Sequence, residues 1–152
     1  MELFEGQVIS APFLSERAEV KKFTGVDMSR DDKIEQVGMD VSMSYERDEG
    51  RVPEDVHAEN IGFDIRSVKY GEDGNFEDIR YIEAKARAQD GAIRISANEW
   101  KKAKRFQDKY WLYTVTFAGT SEPQLGRIQN PAKAFTWIKT SMLLVILYPK
   151  ND

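Results

Sequence analysis

The 152-residue sequence contains no cysteine. Disulfides, thiol nucleophiles and thiolate zinc sites are therefore excluded, and the absence of cysteine is typical of a reducing, intracellular environment. The sequence also lacks a Gly-rich phosphate loop, so ATP and NAD chemistry has no support in it. Its one histidine, His57, is predicted to be a packed or exposed strand residue rather than a ligand.

Long apolar runs are equally scarce. The longest extends from Met142 to Tyr148 and is far too short to span a bilayer, and the opening residues MELFE are not a signal peptide. We therefore expect a cytoplasmic protein without membrane contact. A chain of this length is expected to form one domain, here over residues 29–152, after an N-terminal extension or linker over residues 1–28.

The net charge of −4 argues against a general nucleic-acid coat, but the charge is unevenly distributed. Residues 46–83 contain twelve acidic and five basic side chains, whereas residues 85–109 contain eight basic and three acidic ones. An acidic segment that attracts a metal, beside a basic one that holds phosphates, is the pattern of a metal-dependent nuclease. The simpler interpretation is two solvated faces of an acidic protein.

A β-hairpin is predicted between Gly62 and Ala86. Residues 63–66 and 81–85 alternate apolar and polar side chains, which is the period of a half-buried strand. Asp73-Gly74 lies between them, and Asp-Gly between alternating strands is a strong hairpin signal.

A turn centred on Asp73-Gly74 places Asp64 directly opposite Glu83. Opposed carboxylates repel each other, so this register favours a cation between them, unless one of them is protonated. Mg²⁺ or Mn²⁺, held by two carboxylates and water, fits such a site. Lys85 is predicted on the same face as Glu83. The other face is predicted to be structural and to pack into a core through Phe63, Ile65, Ile82 and Ala84.

Two helices flank this hairpin in the sequence. The first is predicted over 29–48, with an apolar stripe of Ile34, Val37, Val41 and Tyr45. The second follows a capping box of Ser96 and Glu99, which we prefer to a metal-binding role for Glu99. The exposed face of the second helix is basic, and we expect it to contact nucleic acid through Lys101, Lys102, Lys104 and Arg105. Arg66, beside the hairpin site, is expected to touch phosphate as well.

The complete order of predicted elements is helix, three strands, helix and strand, followed by a strand, a short helix and a final strand. These elements span 29–48, 52–58, 62–69, 77–86, 97–107, 109–118, 124–129, 131–138 and 141–148. The first six resemble the αβββαβ core of the PD-(D/E)xK nuclease superfamily, an α/β (α+β), restriction-endonuclease-like fold with a mixed central sheet flanked by helices. Phe63-Asp64 on the second strand and Glu83-Ala84-Lys85 on the third match the positions of its active-site motif, with Phe63 in place of the usual proline.

A closer resemblance is to the domain at the C-terminus of the plant protein NO VEIN, over about residues 29–135. It rests on six sequence words: Tyr45-Glu46-Arg47 with Gly50-Arg51, Asn60-x-Gly62-Phe63-Asp64-Ile65-x-Ser67, Ile82-Glu83-Ala84-Lys85, Asn98-Glu99-Trp100 with Ala103, Tyr110-Trp111-Leu112-Tyr113, and Ile128-Gln129-Asn130-Pro131. Similar domains often follow helicase-like or restriction-type modules. The resemblance implies a nuclease module acting on DNA beside a helicase or translocase.

The resemblance also implies roles for individual residues. Asp64 and Glu83 would hold Mg²⁺ or Mn²⁺, with the Ala84 carbonyl as a further ligand, and Lys85 would orient the attacking water. Glu46 would be a water-mediated ligand or would hold Lys85, although Arg47 and Arg51 offer it ordinary salt bridges. The alternatives are a silent nuclease-like fold that binds DNA or docks proteins, and an interaction domain without nucleic acid.

Overall fold

The computed structural model describes residues 28–135 and 144–147. The predicted N-terminal extension therefore lies outside the described residues, apart from Met28. The elements in chain order are α1 Met28–Asp48, β1 Val52–Asp55, β2 Ile65–Tyr70, β3 Phe76–Ala86, β4 Ile93–Ser96, α2 Ala97–Phe106, β5 Tyr110–Thr116, β6 Gln124–Gln129, α3 Pro131–Ala134 and β7 Leu144–Leu147. The predicted αβββαβ order is confirmed, with β4 inserted between β3 and α2.

The central sheet has five strands in the order β1-β2-β3-β5-β6. Strand β3 runs parallel to β5, and the other neighbours in this sheet are antiparallel. The final predicted strand is present as β7 and pairs with β4 in a second, two-stranded sheet. The rest of the predicted 141–148 strand, and the last residues of the predicted 131–138 helix, lie outside the described residues. The mixed α/β fold class is confirmed.

The hairpin of β2 and β3 has the predicted register from Ile65, which pairs with Ile82, to Lys69, which pairs with Asp78. A bulge then shifts the pairing next to the turn. At the other end, the backbone N–H of Asp64 donates to the Ile82 carbonyl at 2.8 Å. This bond is shifted by one position from the predicted register, in which Asp64 would pair with Glu83, so the regular pairing of the hairpin ends at Ile65.

Both faces of the sheet are buried. The predicted structural face is confirmed for Ile65, Ile82 and Ala84, but not for Phe63. On one face, α1 packs over Ile65 and Ile82 with Met39. On the opposite face, Phe63 joins a cluster that contains Trp100 of α2. Phe63 was expected beside Ile65, but β2 begins only at Ile65 and the preceding backbone is not regular strand. The face that carries Glu83 and Lys85 is thus also a core face.

Helix α1 lies very close to the sheet at Gly38. A Cβ atom at this position would be 2.7 Å from the Cβ atom of Ala86. This approach sets the rotation of the helix. The buried residues Gly38, Ser42 and Glu46 each lie one position after a residue of the predicted apolar stripe, and buried Met39 lies two positions after Val37. Among the described helices, none is long and apolar enough to cross a membrane.

Candidate active site

An acidic pocket of about 480 Å³ lies at the edge where the β2–β3 hairpin, the start of α2 and the first half of α1 come together. Its charged lining comes from separate elements. The side chains that concern its chemistry are Glu35, His57, Asp64, Glu83, Lys85 and Glu99. Three of these, Asp64, Glu83 and Lys85, are predicted site residues, and the fold does bring them together.

The side chain of Asp64, the residue before β2, reaches the backbone of the neighbouring strand β3. Its Oδ2 atom accepts a hydrogen bond from the backbone N–H of Ala84 at 3.0 Å. Burial raises the pKa of the Asp64 carboxyl, although the Ala84 N–H and the charge of Lys85 oppose this effect. The carbonyl of Ala84 points to the same side as its N–H, because both groups of a strand residue face the same neighbour. Asp64 and the Ala84 carbonyl therefore share one side of the pocket.

Lys85 is held between two carboxylates. Its Nζ atom lies 3.1 Å from Oε1 of Glu83 and 2.8 Å from Oε1 of Glu99. Glu83 and Lys85 are two residues apart in β3, so their side chains share a face of the sheet, as predicted. Burial opposes the charge of Lys85, but the two carboxylates outweigh this effect and raise its pKa.

Glu99 has two functions in this arrangement. The predicted capping box is confirmed, because the Ser96 side chain accepts from the Glu99 N–H while the Glu99 side chain accepts from the Ser96 N–H. The same Oε1 atom that caps α2 also binds Lys85. Sequence reasoning missed this second contact, because only the tertiary fold places the start of α2 next to β3.

Glu83 is the most strongly perturbed carboxyl group here. It is 4% exposed. Burial raises its pKa well above the usual range, and the charges of Asp64 and Glu99 add to this effect against the opposing charge of Lys85. It also lies within hydrogen-bonding reach of both Asp64 and Glu99. Two carboxyl groups can share a hydrogen bond only when one carries a proton, so the metal-free group favours a protonated Glu83.

The donor set fits Mg²⁺ better than a metal that needs a complete protein cage. In the part of the chain that the structure describes, no three His, Cys, Asp or Glu side chains are placed to hold a metal together. Asp64 and Glu83 supply two carboxylates, and Ala84 supplies a carbonyl on the same side. Mg²⁺ keeps several waters and binds through one or two carboxylates and substrate phosphate, so this incomplete set of hard oxygen ligands suits it.

Glu46 does not belong to the acidic pocket. Its side chain lies between α1 and the opposite face of the sheet. There the Tyr113 hydroxyl donates to it at 2.8 Å and the Arg80 guanidinium at 2.9 Å. Arg51 forms an ion pair with it at 3.4 Å. We call Glu46, Arg51, Arg80 and Tyr113 the Glu46 cluster. The expected role of Glu46 beside Lys85 is therefore not supported by its position, because Arg80 and Lys85 differ by an odd number of residues along β3 and project to opposite faces.

Helix α1 instead contributes Glu35 to the acidic pocket. This exposed carboxyl group lies eleven residues before Glu46 on the same helix. Burial raises the pKa of Glu35, together with the charges of Asp32 and Asp31. Sequence reasoning missed Glu35, since its acidic neighbours Asp31 and Asp32 suggest only the favourable charge of a helix N-terminus.

The predicted phosphate-contacting residues are on the surface of the hairpin and α2. Lys101, Lys104 and Arg105 are exposed, as predicted, and Lys102 is half-buried. Arg66 is paired with Glu54 at 3.2 Å. Next to these side chains, the Phe106 ring stacks on Tyr81 with a centroid distance of 4.1 Å. Lys102 and Arg105 both lie over the Phe106 ring, at 5.9 and 5.6 Å from its centroid.

Comparison with known proteins adds one finding. No curated protein and no solved structure matches the chain. A family model described as "Protein NO VEIN, C-terminal" matches residues 34–128. The matched segment begins inside α1, ends in β6 and includes every predicted residue of the acidic pocket. It covers more than half of the 152 residues, and the chain therefore belongs to the NO VEIN C-terminal domain family.

Proposed function

We propose that this domain is a divalent-metal-dependent nuclease that hydrolyses phosphodiester bonds of nucleic acid, DNA being the expected substrate. The observation that carries the proposal is the convergence of Asp64, Glu83 and Lys85 in one pocket, where the side chain of Asp64 binds the backbone of β3 at Ala84. The proposal includes an intracellular location and a role as the C-terminal module of a helicase-like, restriction or defence protein.

The charge of the acidic pocket supports metal binding. Asp64, Glu83 and Glu99 are three carboxyl groups, whereas Lys85 is the one ammonium group bonded within this set. With every group ionised, the set carries two excess negative charges in a largely buried place. Such an excess is relieved either by a proton or by a divalent cation. Metal binding is therefore expected to displace the proton of Glu83.

Each residue of the site then has a defined task. Asp64, Glu83 and the Ala84 carbonyl would hold Mg²⁺ or Mn²⁺, which supplies Lewis acidity to the phosphate and lowers the pKa of a bound water. Lys85 is fixed by Glu99 and Glu83, and its ammonium group would stabilise the negative charge that develops on the phosphate oxygens. Glu99 would act through Lys85 as a positioning residue.

The surface of α2 supports nucleic acid as the substrate. Exposed Lys101, Lys104 and Arg105 would contact phosphates, and Lys102 lies beside them. The Tyr81–Phe106 ring pair supplies an aromatic surface among these cations, which is a combination typical of single-strand contacts. Arg66 would have to leave Glu54 to reach a phosphate.

Calorimetric titration with Mg²⁺ and with Mn²⁺ tests the metal step. The wild type is compared with Glu83→Gln, which imitates the protonated carboxyl group, and with Glu54→Gln, a control at an exposed carboxylate outside the pocket. We expect wild type and control to bind metal with proton release, and Glu83→Gln to bind neither metal. Equal binding by all three proteins would refute the proposed ligand set.

Cleavage of plasmid DNA, single-stranded DNA and RNA on the same samples tests the chemistry. Cleavage that requires metal and is abolished by Glu83→Gln, but not by Glu54→Gln, is the expected result. Metal binding without any cleavage would refute catalysis by the isolated domain.

A silent nuclease-like fold is the second candidate, and one observation favours it. The ammonium group of Lys85 is already bonded to both Glu83 and Glu99 without any metal. A silent domain would still use the basic surface of α2. It would bind DNA with a salt-dependent affinity that Glu83→Gln does not change, and it would cleave nothing.

A further inference from the structure

His57 and Asp55 form a hydrogen-bonded pair at the rim of the acidic pocket. His57 begins a 3-10 turn, His57–Glu59, shortly after β1, so the prediction of a strand residue was wrong. Its Nδ1 atom lies 2.6 Å from Oδ1 of Asp55, and its backbone N–H donates to the same oxygen at 3.0 Å. A carboxylate only accepts hydrogen bonds, so Nδ1 carries a hydrogen and Nε2 is the nitrogen left to face a substrate.

The fold holds this pair beside the candidate catalytic groups. The backbone N–H of Val56, between the two residues, donates to the Asp64 carbonyl at 2.8 Å. His57 lines the same pocket as Asp64 and Lys85. Its side chain is nevertheless 59% exposed, so a nucleic acid entering the pocket can reach the imidazole without any rearrangement of the core.

We propose that His57 is the general acid that protonates the leaving oxygen during hydrolysis, with Asp55 as its positioning residue. The inference rests on the proposed nuclease function and assigns one further residue to it. In this step the water oxygen forms a bond to phosphorus as the bond from phosphorus to the leaving oxygen breaks. The leaving oxygen keeps that electron pair and receives the Nε2 proton. The water releases a proton to solvent, and solvent reprotonates His57.

The groups around His57 suit this role. Asp55, Asp64 and Glu35 are the charged groups that act on it from β1, the hairpin and α1, and all three are carboxyl groups. The Asp55 hydrogen bond is the main cause that raises the pKa of His57, and this favours the protonated imidazole that a general acid requires. Lys85 is a poorer acid, because two carboxylates hold its proton. The other cationic side chains that line the pocket, Arg87 and Arg94, do not release protons.

The hydrogen-bond geometry has a test that needs no substrate. The chain contains one histidine, so ¹⁵N-labelled protein gives a single set of imidazole signals. At a pH above the pKa of His57, we expect the Nδ1–H tautomer in the wild type. In Asp55→Ala, the tautomer carrying hydrogen on Nε2 should dominate. An Nε2–H tautomer in the wild type would overturn the proposal.

Two substitutions test the proton transfer. His57→Asn keeps a donor near the position of Nδ1, and His57→Gln keeps one near Nε2, but neither amide can give up a proton. The ends of the cleavage products first identify the leaving oxygen in an oligonucleotide that the wild type cleaves. Each variant is then compared on this oligonucleotide and on one with sulfur in place of that oxygen. A thiolate leaves readily without a proton. We expect both variants to lose about 10²- to 10⁴-fold in rate on the oxygen substrate and only a few-fold on the sulfur substrate.

The outcomes separate the two proposals. Equal losses on both substrates, or full activity of His57→Gln, would overturn the role of His57 while leaving the nuclease function intact. A wild-type rate that falls as the pH drops below the pKa of His57 would indicate a general base and would also overturn it. Absence of wild-type cleavage with either metal would refute the proposed function first, and this inference with it. Unchanged unfolding midpoints and Mn²⁺ affinities in both variants serve as controls.

Discussion

Removal of the Glu46 carboxylate should unfold the domain more easily without changing metal binding. Glu46 is fully buried, and its ion-pair partners Arg51 and Arg80 are themselves largely buried, with side chains 3% and 18% exposed. In Glu46→Ala both guanidinium groups lose this partner. Arg51 keeps a second one in Asp78, at 2.8 Å, whereas Arg80 keeps its position over the Trp111 ring at 4.8 Å. The uncompensated charge therefore falls mainly on Arg80.

The expected loss of stability in Glu46→Ala follows from the burial of its ion pairs. Breaking a buried ion pair by removing one partner costs about 3–5 kcal/mol. A domain of this size loses roughly 2–4 °C of melting temperature per kcal/mol, so the expected decrease is about 6–20 °C. The Tyr113 hydroxyl contributes one of the bonds to Glu46, and burial together with Glu46 raises the pKa of Tyr113 to about 12. Tyr113→Phe should therefore cost about 1.5–3 kcal/mol, the range for a hydrogen bond to a charged group.

Urea unfolding of wild type, Glu46→Ala, Tyr113→Phe and the double variant measures the loss of unfolding free energy from each substitution and the coupling energy between the two side chains. Mn²⁺ titration of the folded proteins measures the other half of the prediction. We expect a large loss of stability in Glu46→Ala with unchanged Mn²⁺ affinity. An unchanged free energy of unfolding combined with lost metal binding would refute the placement of Glu46 away from the acidic pocket.

Three further predictions concern stability and binding. Burial raises the pKa of Glu83 above its ordinary value of 4.5, so the stability that its carboxyl group contributes is fully present below that value and is lost as the pH rises through the folded pKa. In metal-free urea unfolding at pH 4 to 8, Glu83→Gln should remove this contribution to the fall in unfolding free energy. An identical fall in both proteins would contradict the prediction. Gly38→Ala should destabilise by about 1–3 kcal/mol through the Ala86 contact, and Ala86→Gly in the same chain should recover part of the loss in chemical denaturation. Lys101→Ala and Lys104→Ala should each reduce the salt dependence of DNA affinity by about one unit of log–log slope, measured by fluorescence anisotropy, whereas an unchanged slope would exclude phosphate contacts there.

The parts of the structure that depend on local chemistry could be predicted from the sequence. The hairpin register follows from one dipeptide, Asp73-Gly74, and the period of two in its strands, and both are properties of neighbouring residues. The capping box of Ser96 and Glu99 is local in the same sense. The register was correct from Ile65 to Lys69, whereas the bulge beside the turn and the irregular backbone at Asp64 were not predicted. Asp64 reaches the level of Ala84 through its side chain instead.

The parts that depend on tertiary packing could not be predicted. The phase of α1 is set by the contact between Gly38 and Ala86, two residues far apart in the sequence. That contact turns Glu46 into the core, although the apolar pattern of the helix favours Tyr45 as the buried residue. The bond between Glu99 and Lys85 likewise depends on how β4 and α2 return to the sheet after β3.

Charge balance, rather than burial, separates the two buried acidic groups on opposite faces of this sheet. The Glu46 cluster and its neighbour Asp78 contain two carboxylates and two guanidinium groups, and the guanidinium of Arg127 beside Tyr113 adds a third cation, so the buried carboxylate of Glu46 is fully compensated as it stands. The set of Asp64, Glu83, Lys85 and Glu99 contains three carboxyl groups and one ammonium, so it carries excess negative charge when every group is ionised. A structural ion-pair network gains nothing from such an imbalance, whereas a site that must bind metal and phosphate requires it. The acidic pocket is for this reason the better place to look for chemistry, although Glu46 is the more deeply buried carboxylate.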